Sequence, residues 1–401
     1  MSQTIGIIGA GLVGLATAHK LAKHAPSVRV VVFEKESAPG QHQSTHNSGV
    51  LHAGLYYKPG SAKARLAVSG LRQMLDFCQT NAVPYEQCGK LVLAVDAAEL
   101  ALLPGLFERG TANGLRGLRL LGPDEIRERE PHARGVAAIL VPEEGIVDYA
   151  KAVEVLTAQL RQSGHRVLTG WRVNRLERHG QQWIVHSTSG DEACDFIVNT
   201  AGLYCDRVSQ MAGEPRDTRI IPFRGEYYQL RADRQHLVRH LIYPVPNPKF
   251  PFLGVHFTRL IHGGIEAGPN AVLAFAREGY RKSQVNVYDL ADTLGFAGFW
   301  RFARRHSGMC WQELRQSFSS HRFATALQRL VPEIQPEDLK PGGAGVRAQA
   351  MRPDGSLVED FQFIKKPGAL HVLNAPSPAA TASLAIADEI LARIRAGFLA
   401  I

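Results

Sequence analysis

Cysteine is scarce in this chain of 401 residues: five are present, an odd number, and no two stand as C-x-x-C. A disulfide framework and a zinc site are both disfavoured by that spacing, so no metal centre is expected, and a reducing compartment such as the cytoplasm is the natural home. Long hydrophobic runs are missing as well. None approaches the roughly 20 residues that a membrane span requires, and a strand-like apolar run already begins at Ile5, so no targeting segment is expected before it. No basic run with interleaved aromatics resembles a nucleic-acid module, and arginines are scattered widely in a chain of formal net charge +9. Nucleic acid is therefore not an expected partner, whereas an anionic substrate or membrane surface suits the charge. Repeats and low-complexity tracts are absent. What remains is an ordinary globular composition, 45% hydrophobic and 21% charged, on a chain long enough for two domains that need not be contiguous.

What is present begins with Gly9-Ala10-Gly11-Leu12-Val13-Gly14, placed between the apolar run Ile5 to Ile8 and a helical pattern through Leu15, Ala16, His19 and Ala22. A second apolar run, Val28 to Phe33, ends in Glu34 with Lys35 beside it, twenty residues beyond Gly14. Glycine spacing, flanking strand and helix, and the distant carboxylate together make the βαβ dinucleotide fingerprint. Gly9 allows the tight turn, Gly11 admits a pyrophosphate to the backbone, and Gly14 lets helix and strand pack closely. The helix start offers N–H groups and a positive dipole end to phosphates. Glu34 suits ribose hydroxyls, which favours a cofactor without a 2′-phosphate at that position.

The rest of the chain divides into two characters. Strand–helix alternation of a parallel sheet is expected in three pieces, 1–81, 141–212 and 331–401. Within them Gly145 to Asp148 leads into a helix from Tyr149 to Ser163; strands follow near Arg166 to Thr169, Trp183 to Ser187 and Phe196 to Asn199. Leu370 to Leu373 reads as a buried strand and Thr381 to Arg395 as a helix. Between these pieces, 82–140 and 213–330 carry strands at Gly225 to Leu230, Leu253 to Leu260 and Ala271 to Ala276, and a proline-rich loop from Pro244 to Pro248. The expected fold is α/β, α+β overall: a Rossmann-like cofactor domain with an inserted antiparallel-sheet substrate domain.

The stretch from Ser44 to Tyr57, polar and rich in histidine, follows the second strand directly. A nicotinamide enzyme has no evident need of it. An extended FAD does, because its pyrophosphate and ring run past such a loop. This stretch resembles the D-amino-acid-oxidase-like flavoproteins, and within them the chain resembles the L-2-hydroxyglutarate oxidase/dehydrogenase family. Further blocks carry that resemblance: Asn199 to Gly202, Pro251 to Arg259, Gly268 to Ala271, Gly345 to Gln349 with Pro353 to Gly355, and Asn374 to Ser383. The resemblance implies non-covalent FAD, with Gly9 to Gly14 at the pyrophosphate and Glu34 at the adenosine ribose. It places Ser44, Thr45, His46, Asn47, Ser48, Gly49 and Val50 along the ribityl chain and ring, with His46 in flavin contact. Val173 falls on the adenine side, and Thr200, Ala201 and Gly202 fall near the pyrophosphate. Pro378, Ala379, Ala380 and Thr381 reach the pyrimidine edge, although the family often has glycine where Ala379 and Ala380 stand.

The implied reaction is oxidation of L-2-hydroxyglutarate to 2-oxoglutarate, with hydride passing to flavin N5 and electrons leaving to a quinone or dioxygen. A neutral imidazole suits the hydroxyl proton. Two histidines qualify, His52 in the flavin-side loop and His256 on an expected substrate-domain strand, with His52 placed first. A dicarboxylate calls for two anion sites, and bidentate arginine is a strong choice. Arg259 and Arg347 are the candidates, with Tyr57, Lys58 and Tyr227 as secondary donors. Rival readings are an amine or amino-acid oxidase of the same superfamily, which needs one carboxylate clamp, and a non-catalytic flavin-binding assembly factor. Finally, residues 296–318 alternate aromatics with Arg301, Arg304, Arg305 and Arg315. A packed amphipathic insert is the favoured reading. Peripheral contact with the inner face of the cytoplasmic membrane is the alternative, and Gly295, Gly298 and Gly308 disfavour one continuous helix.

Overall fold

A computed structural model describes residues 3–247, 253–396 and 398. Pro248, and Pro251 and Phe252 of the family block, lie outside the described residues.

The β-branched runs Thr4–Ile8 and Arg29–Phe33 pair in parallel at the centre of a six-stranded sheet. Its order is Gln362–Lys366, Ala369–Asn374, Phe196–Asn199, Thr4–Ile8, Arg29–Phe33, Arg166–Leu168, and every pair except the first is parallel. The three central strands are almost wholly buried, as a parallel sheet covered on both faces requires. Helices Leu12–His24, Tyr149–Gln162 and Ser383–Arg395 pack together over it through Leu15, Leu156 and Ile390. Register aligns Ile8 with both Phe33 and Asn199, so Gly9, Glu34 and Thr200 meet at one carboxyl edge. That edge is where open α/β sheets bind ligands. A three-strand meander, Val173–His179, Gln182–Ser187 and Gly190–Cys194, stands beside it.

The second sheet has nine strands, running Val272–Leu273, Arg219–Leu230, Ile265–Gly268, His256–Arg259, Leu241–Pro244, Lys90–Ala94, Ala137–Val141 and Arg119–Leu121, with Leu339–Met351 also on Arg219–Leu230. It is antiparallel except where Leu241–Pro244 runs parallel to Lys90–Ala94. Leu339–Met351 falls within 331–401, which sequence pattern groups with the cofactor pieces. Its partner nevertheless is Arg219–Leu230, in register from Arg219–Met351 to Leu230–Leu339, so it belongs to the second sheet. Alternation along one strand could not reveal that, because pairing is a long-range choice. The strand expected from Ala271 to Ala276 shortens to Val272–Leu273.

Residues 296–318 form two helices, Ala297–Arg305 and Ser307–Ser317, broken at His306, after a preceding helix Val287–Leu294 that ends at Gly295. Phe296, Phe302 and Met309 bury against Ile221, Phe223 and Met351, so one side packs as an insert. Trp300, Trp311 and Phe318 remain exposed.

Candidate active site

The cofactor end is built largely from backbone. Gly9 has φ of +105°, a region that side chains avoid. A Cβ on Gly9 would lie 2.7 Å from Thr200 O, and one on Gly14 only 2.0 Å from Gly9 O. Turn, helix and neighbouring strand therefore sit closer than any side chain permits. Gly11 begins Leu12–His24 without a side-chain cap, and the first turn holds no acid. Leu12 N–H donates to Ser44 Oγ at 2.9 Å. The positive helix end is left uncompensated, as an anion site needs. Glu34 is buried; its Oε2 accepts from Ala10 N–H at 2.9 Å and its Oε1 from Glu36 N–H at 3.0 Å. Both oxygens are thus fixed, and each keeps a lone pair for a ribose hydroxyl.

A cavity of about 450 Å³ runs from this corner. Gly9, Gly11, Leu12, Val13, Glu34, Lys35, Ser44, Val173, Thr200, Ala201, Gly202, Ala379 and Ala380 line it. Ala10 and Gly14 stand behind the wall as packing. The remaining loop residues lie off this cavity and hold the loop in place. Thr45 Oγ1 donates to Gly40 O, and Asn47 Oδ1 accepts from Gly49 N–H at 2.9 Å. His46 is exposed with its ring 4.3 Å from Tyr280. Val50 pairs with Ile146. Pro378 is buried behind the wall, and Thr381 Oγ1 bonds Tyr149 OH, Val50 O and His52 N–H. Sequence reasoning missed Gln41, His42, Trp171, Arg172, Asn174, Tyr204 and Arg207, which also line the cavity. Only their proximity to Ser44, Val173 and Gly202 could have suggested them. Glycine cradle, helix end, Glu34 and an elongated cavity fit a dinucleotide. Lys35 lies among Glu36, His42 and Glu278, its Nζ 2.9 Å from His42 Nε2 and 2.5 Å from Glu278. Those three are the one described set close enough to share a metal, and the ammonium already supplies their positive charge.

The chemical end is built from side chains. Val50–Leu51 pairs with Gly145–Val147, which carries Glu144 beneath His52. His52 Nδ1 is 3.7 Å from Glu144 Oε2, an ion-pair separation longer than a hydrogen bond. Glu144 Oε1 accepts from Ala53 N–H at 3.1 Å, and Lys90 Nζ lies 2.6 Å from Oε2. Lys90 and Glu144 are both fully buried. Lys90 also stands 4.4 and 4.9 Å from the Tyr56 and Tyr243 ring centres, a cation–π setting. Burial opposes the Glu144 charge, but Lys90 and then His52 outweigh it and bring the carboxyl down to about 2. Burial lowers the Lys90 ammonium's pKa against the pull of Glu144. Neither residue was a candidate from sequence. The available signal was a lone lysine opening the apolar strand Lys90–Ala94, since buried charges need partners.

His256 stacks on Tyr243 at 3.8 Å, with Nδ1 2.9 Å from Gly254 O. A carbonyl only accepts, so Nδ1 carries the hydrogen and Nε2 keeps a lone pair. Burial, opposed by that hydrogen bond and reinforced by His52, Arg347 and Lys90, pushes its pKa down to about 3. Tyr227 is raised to about 12 by burial, with Arg347 opposing. Burial also raises the Tyr57 hydroxyl and lowers the Arg347 guanidinium. His52, Tyr56, Tyr57, Tyr227 and Arg347 each keep part of their surface open, so they face a space rather than a packed core. Arg259 and Lys58 do not join them. Strand alternation turns Arg259 away from the His256 face, where its guanidinium contacts Glu86. Lys58 is exposed beyond the loop. A cleft of about 1010 Å³ opens near His256, with Gly254 and Pro269 in its lining and Arg315, Arg322 and Arg329 also on its wall.

A cavity that fits a dinucleotide, near a buried carboxylate–ammonium pair with a half-buried imidazole beside it, is an arrangement that suits a cofactor-dependent oxidoreductase. A model of the family described as FAD dependent oxidoreductase matches residues 4–393. Among curated relatives, the L-2-hydroxyglutarate dehydrogenase of Indibacter alkaliphilus is 49% identical over 97% of this chain and 98% of its own. The human mitochondrial L-2-hydroxyglutarate dehydrogenase is 43% identical over 98% and 89%, and that of Escherichia coli 40% over 97% and 92%. In fold, the FAD-bound L-alpha-glycerophosphate oxidase of Mycoplasma pneumoniae superposes with a TM-score of 0.81 at 20% identity, covering 98% of this chain and 95% of that one. Glycine oxidase of Geobacillus kaustophilus gives 0.74 at 16%, over 100% and 96%. The chain belongs to the FAD-dependent oxidoreductases of the D-amino-acid-oxidase type and, within them, to the L-2-hydroxyglutarate oxidase/dehydrogenase family. It is an enzyme, and its cofactor is FAD.

Proposed function

We propose that this enzyme oxidises L-2-hydroxyglutarate to 2-oxoglutarate and passes the electrons to a quinone or to dioxygen. The observation that carries the reading is the buried Glu144–Lys90 pair with the half-buried His52 facing it. Bound FAD supplies the two-electron acceptor for the hydride that leaves the substrate carbon. The chain handles the proton and the anion. His52 takes the hydroxyl proton, and Glu144 faces Nδ1 so that the imidazolium gains a countercharge when the other nitrogen is protonated. Lys90 keeps Glu144 ionised in its dry site. His256, whose own pKa is pushed far below neutrality, is a poor proton store and serves as a hydrogen-bond acceptor at Nε2. Arg347 binds a substrate carboxylate, with the Tyr57 and Tyr227 hydroxyls as neutral donors. Support for a dicarboxylate comes from the names of the relatives rather than from an arginine count, because Arg259 is engaged with Glu86.

The test is anaerobic bleaching of flavin absorbance by L-2-hydroxyglutarate, D-2-hydroxyglutarate, L-lactate, sarcosine and amino acids. Bleaching by the L-hydroxy dicarboxylate is expected. Bleaching by an amine alone would replace the substrate with that of an amine oxidase, and no bleaching of bound flavin would favour a non-catalytic protein. Oxygen uptake against anaerobic reduction of a soluble quinone separates the two acceptors.

A further inference from the structure

Helix Ser307–Ser317 turns Met309, Glu313, Gln316 and Ser317 to one side and leaves Trp311 and Leu314 exposed on the other. Three- and four-residue spacing puts the first four on one face. Met309 is there for packing. A carboxyl on the same inward face is not, since a charge taken out of water is costly unless something favours it.

The surroundings supply the reason. Met309 packs on Phe223, and Phe223 stands opposite Arg347 in the strand register, so both side chains share one face of the sheet. Glu313, one helical turn beyond Met309, is thereby brought towards Arg347. Each charge is felt by the other without a hydrogen bond between them. Burial lowers the Arg347 pKa, and Tyr227 and Glu313 oppose it. Tyr227, raised by burial to about 12, stays neutral, which leaves Glu313 as the anion. Burial raises the Glu313 carboxyl in turn, while the Ala271 N–H and Arg347 favour its ionised form.

The carboxyl is held in place. Glu313 Oε2 accepts from Ala271 N–H at 2.7 Å. The preceding Asn270 exchanges hydrogen bonds with Glu226 at 2.7 and 3.0 Å, and Glu226 Oε2 also accepts from Ser317 Oγ at 2.6 Å. Glu313 lines the cleft of about 1010 Å³ together with Met309, Gly254, Val255 and Pro269, so it stands where that cleft nears His256 and Arg347.

We infer that Glu313 is a specificity-determining residue, a fixed negative charge between the cleft and Arg347 that offsets the clamp and keeps dicarboxylate anions releasable. A desolvated guanidinium alone would hold any carboxylate that entered, the product included. A neighbouring carboxylate opposes this by like-charge repulsion, which is stronger in a site partly closed to water. The inference rests on the proposed role of Arg347 as carboxylate clamp. Pinning of the helix through Ala271 is the rival role. Glu313→Gln separates the two, because an amide oxygen still accepts from the Ala271 N–H while the charge is gone.

The test measures binding of glutarate, a dicarboxylate with no hydroxyl to oxidise, through the flavin spectrum of the holoenzyme. Anaerobic flavin reduction by L-2-hydroxyglutarate is followed beside it. Glu313→Gln is expected to bind glutarate on the order of tenfold more tightly than wild type, and 2-oxoglutarate should inhibit it at correspondingly lower concentration. KM should fall by more than the limiting reduction rate changes. Glu313→Asp, which keeps the charge, should bind glutarate much as wild type does. Glu313→Met, uncharged and unable to hold the Ala271 N–H, should also tighten binding, and decides the matter if Glu313→Gln loses flavin. The inference is overturned if neither uncharged variant binds glutarate more tightly than wild type, or if Glu313→Asp tightens binding as much as they do. Should L-2-hydroxyglutarate bleach wild-type flavin in that case, only the role of Glu313 falls; should it bleach nothing, the catalytic reading falls as well.

Discussion

The cofactor cavity and the proposed substrate site are made of different material. At the cavity, Gly9, Gly11 and Gly14 work by having no side chain, and the lining is shared among segments around Gly9, Glu34, Ser44, Val173, Thr200 and Ala379. At the proposed site, His52, Lys90, Glu144, His256 and Arg347 each arrive on a separate strand or loop and act through charge. The first kind of site tolerates no added atoms. The second tolerates atoms but not a missing partner, since an orphaned buried charge is costly.

The contrast can be broken most severely at Gly14. Gly14→Ala places a methyl 2.0 Å from Gly9 O, and protein purified with little or no flavin is expected. Gly105→Ala, where a Cβ meets nothing within 4 Å, is the control and should retain full flavin content. Flavin absorbance per protein decides it.

At the proposed substrate site the expected loss is of rate with cofactor retained. His52→Gln should slow anaerobic flavin reduction by roughly a hundred- to ten-thousand-fold, with absorbance of bound flavin unchanged in stopped-flow starting traces. Unaltered reduction would remove His52 from the chemistry and bring His256 forward.

The two arginines sharpen the comparison further. Arg347→Met should raise KM for the hydroxy acid by about ten- to a hundredfold, as loss of a charge-assisted pair does. Arg259→Ala should change it by less than about twofold, because that side chain is half exposed and paired with Glu86. Steady-state kinetics of both variants with one soluble dye would show whether the split holds.

The smallest effect expected is on stability in acid. His256 and His371 are pushed by burial from an ordinary 6.5 to about 3 and about 4. Between those values the unfolded chain binds protons that the folded chain refuses, so stability is complete above about 6.5 and drains as pH falls towards 3–4. Thermal melts across that window should show the decline, and His371→Asn, remote from the chemistry, should flatten part of it.

The same contrast explains what the sequence disclosed. Phe196–Asn199 and Tyr149–Gln162 were readable because apolar periodicity is local, and the fingerprint because strand, glycine turn, helix and Glu34 follow one another within a single unit. Lys90 and Glu144 were not readable. Fifty-four positions separate them, and a single charge in an apolar run does not name its partner. Arg259 was a reasonable clamp by type and by family block, yet the alternation of its strand faces it elsewhere. Likewise the aromatic and basic pattern of 296–318 announced an unusual insert, but the inward aspartates of Val287–Leu294 became meaningful only with Arg207, Arg219 and Arg277 in place.

By itself, then, the sequence determined the fold class and the cofactor class, because those depend on local spacing and on what glycine alone permits. The tertiary structure decided which charges meet. Register placed Leu339–Met351, and with it Arg347, on the nine-stranded sheet. A two-residue strand set Glu144 beneath His52. Such convergence rests on long-range pairing and desolvation, which no window of neighbouring residues encodes.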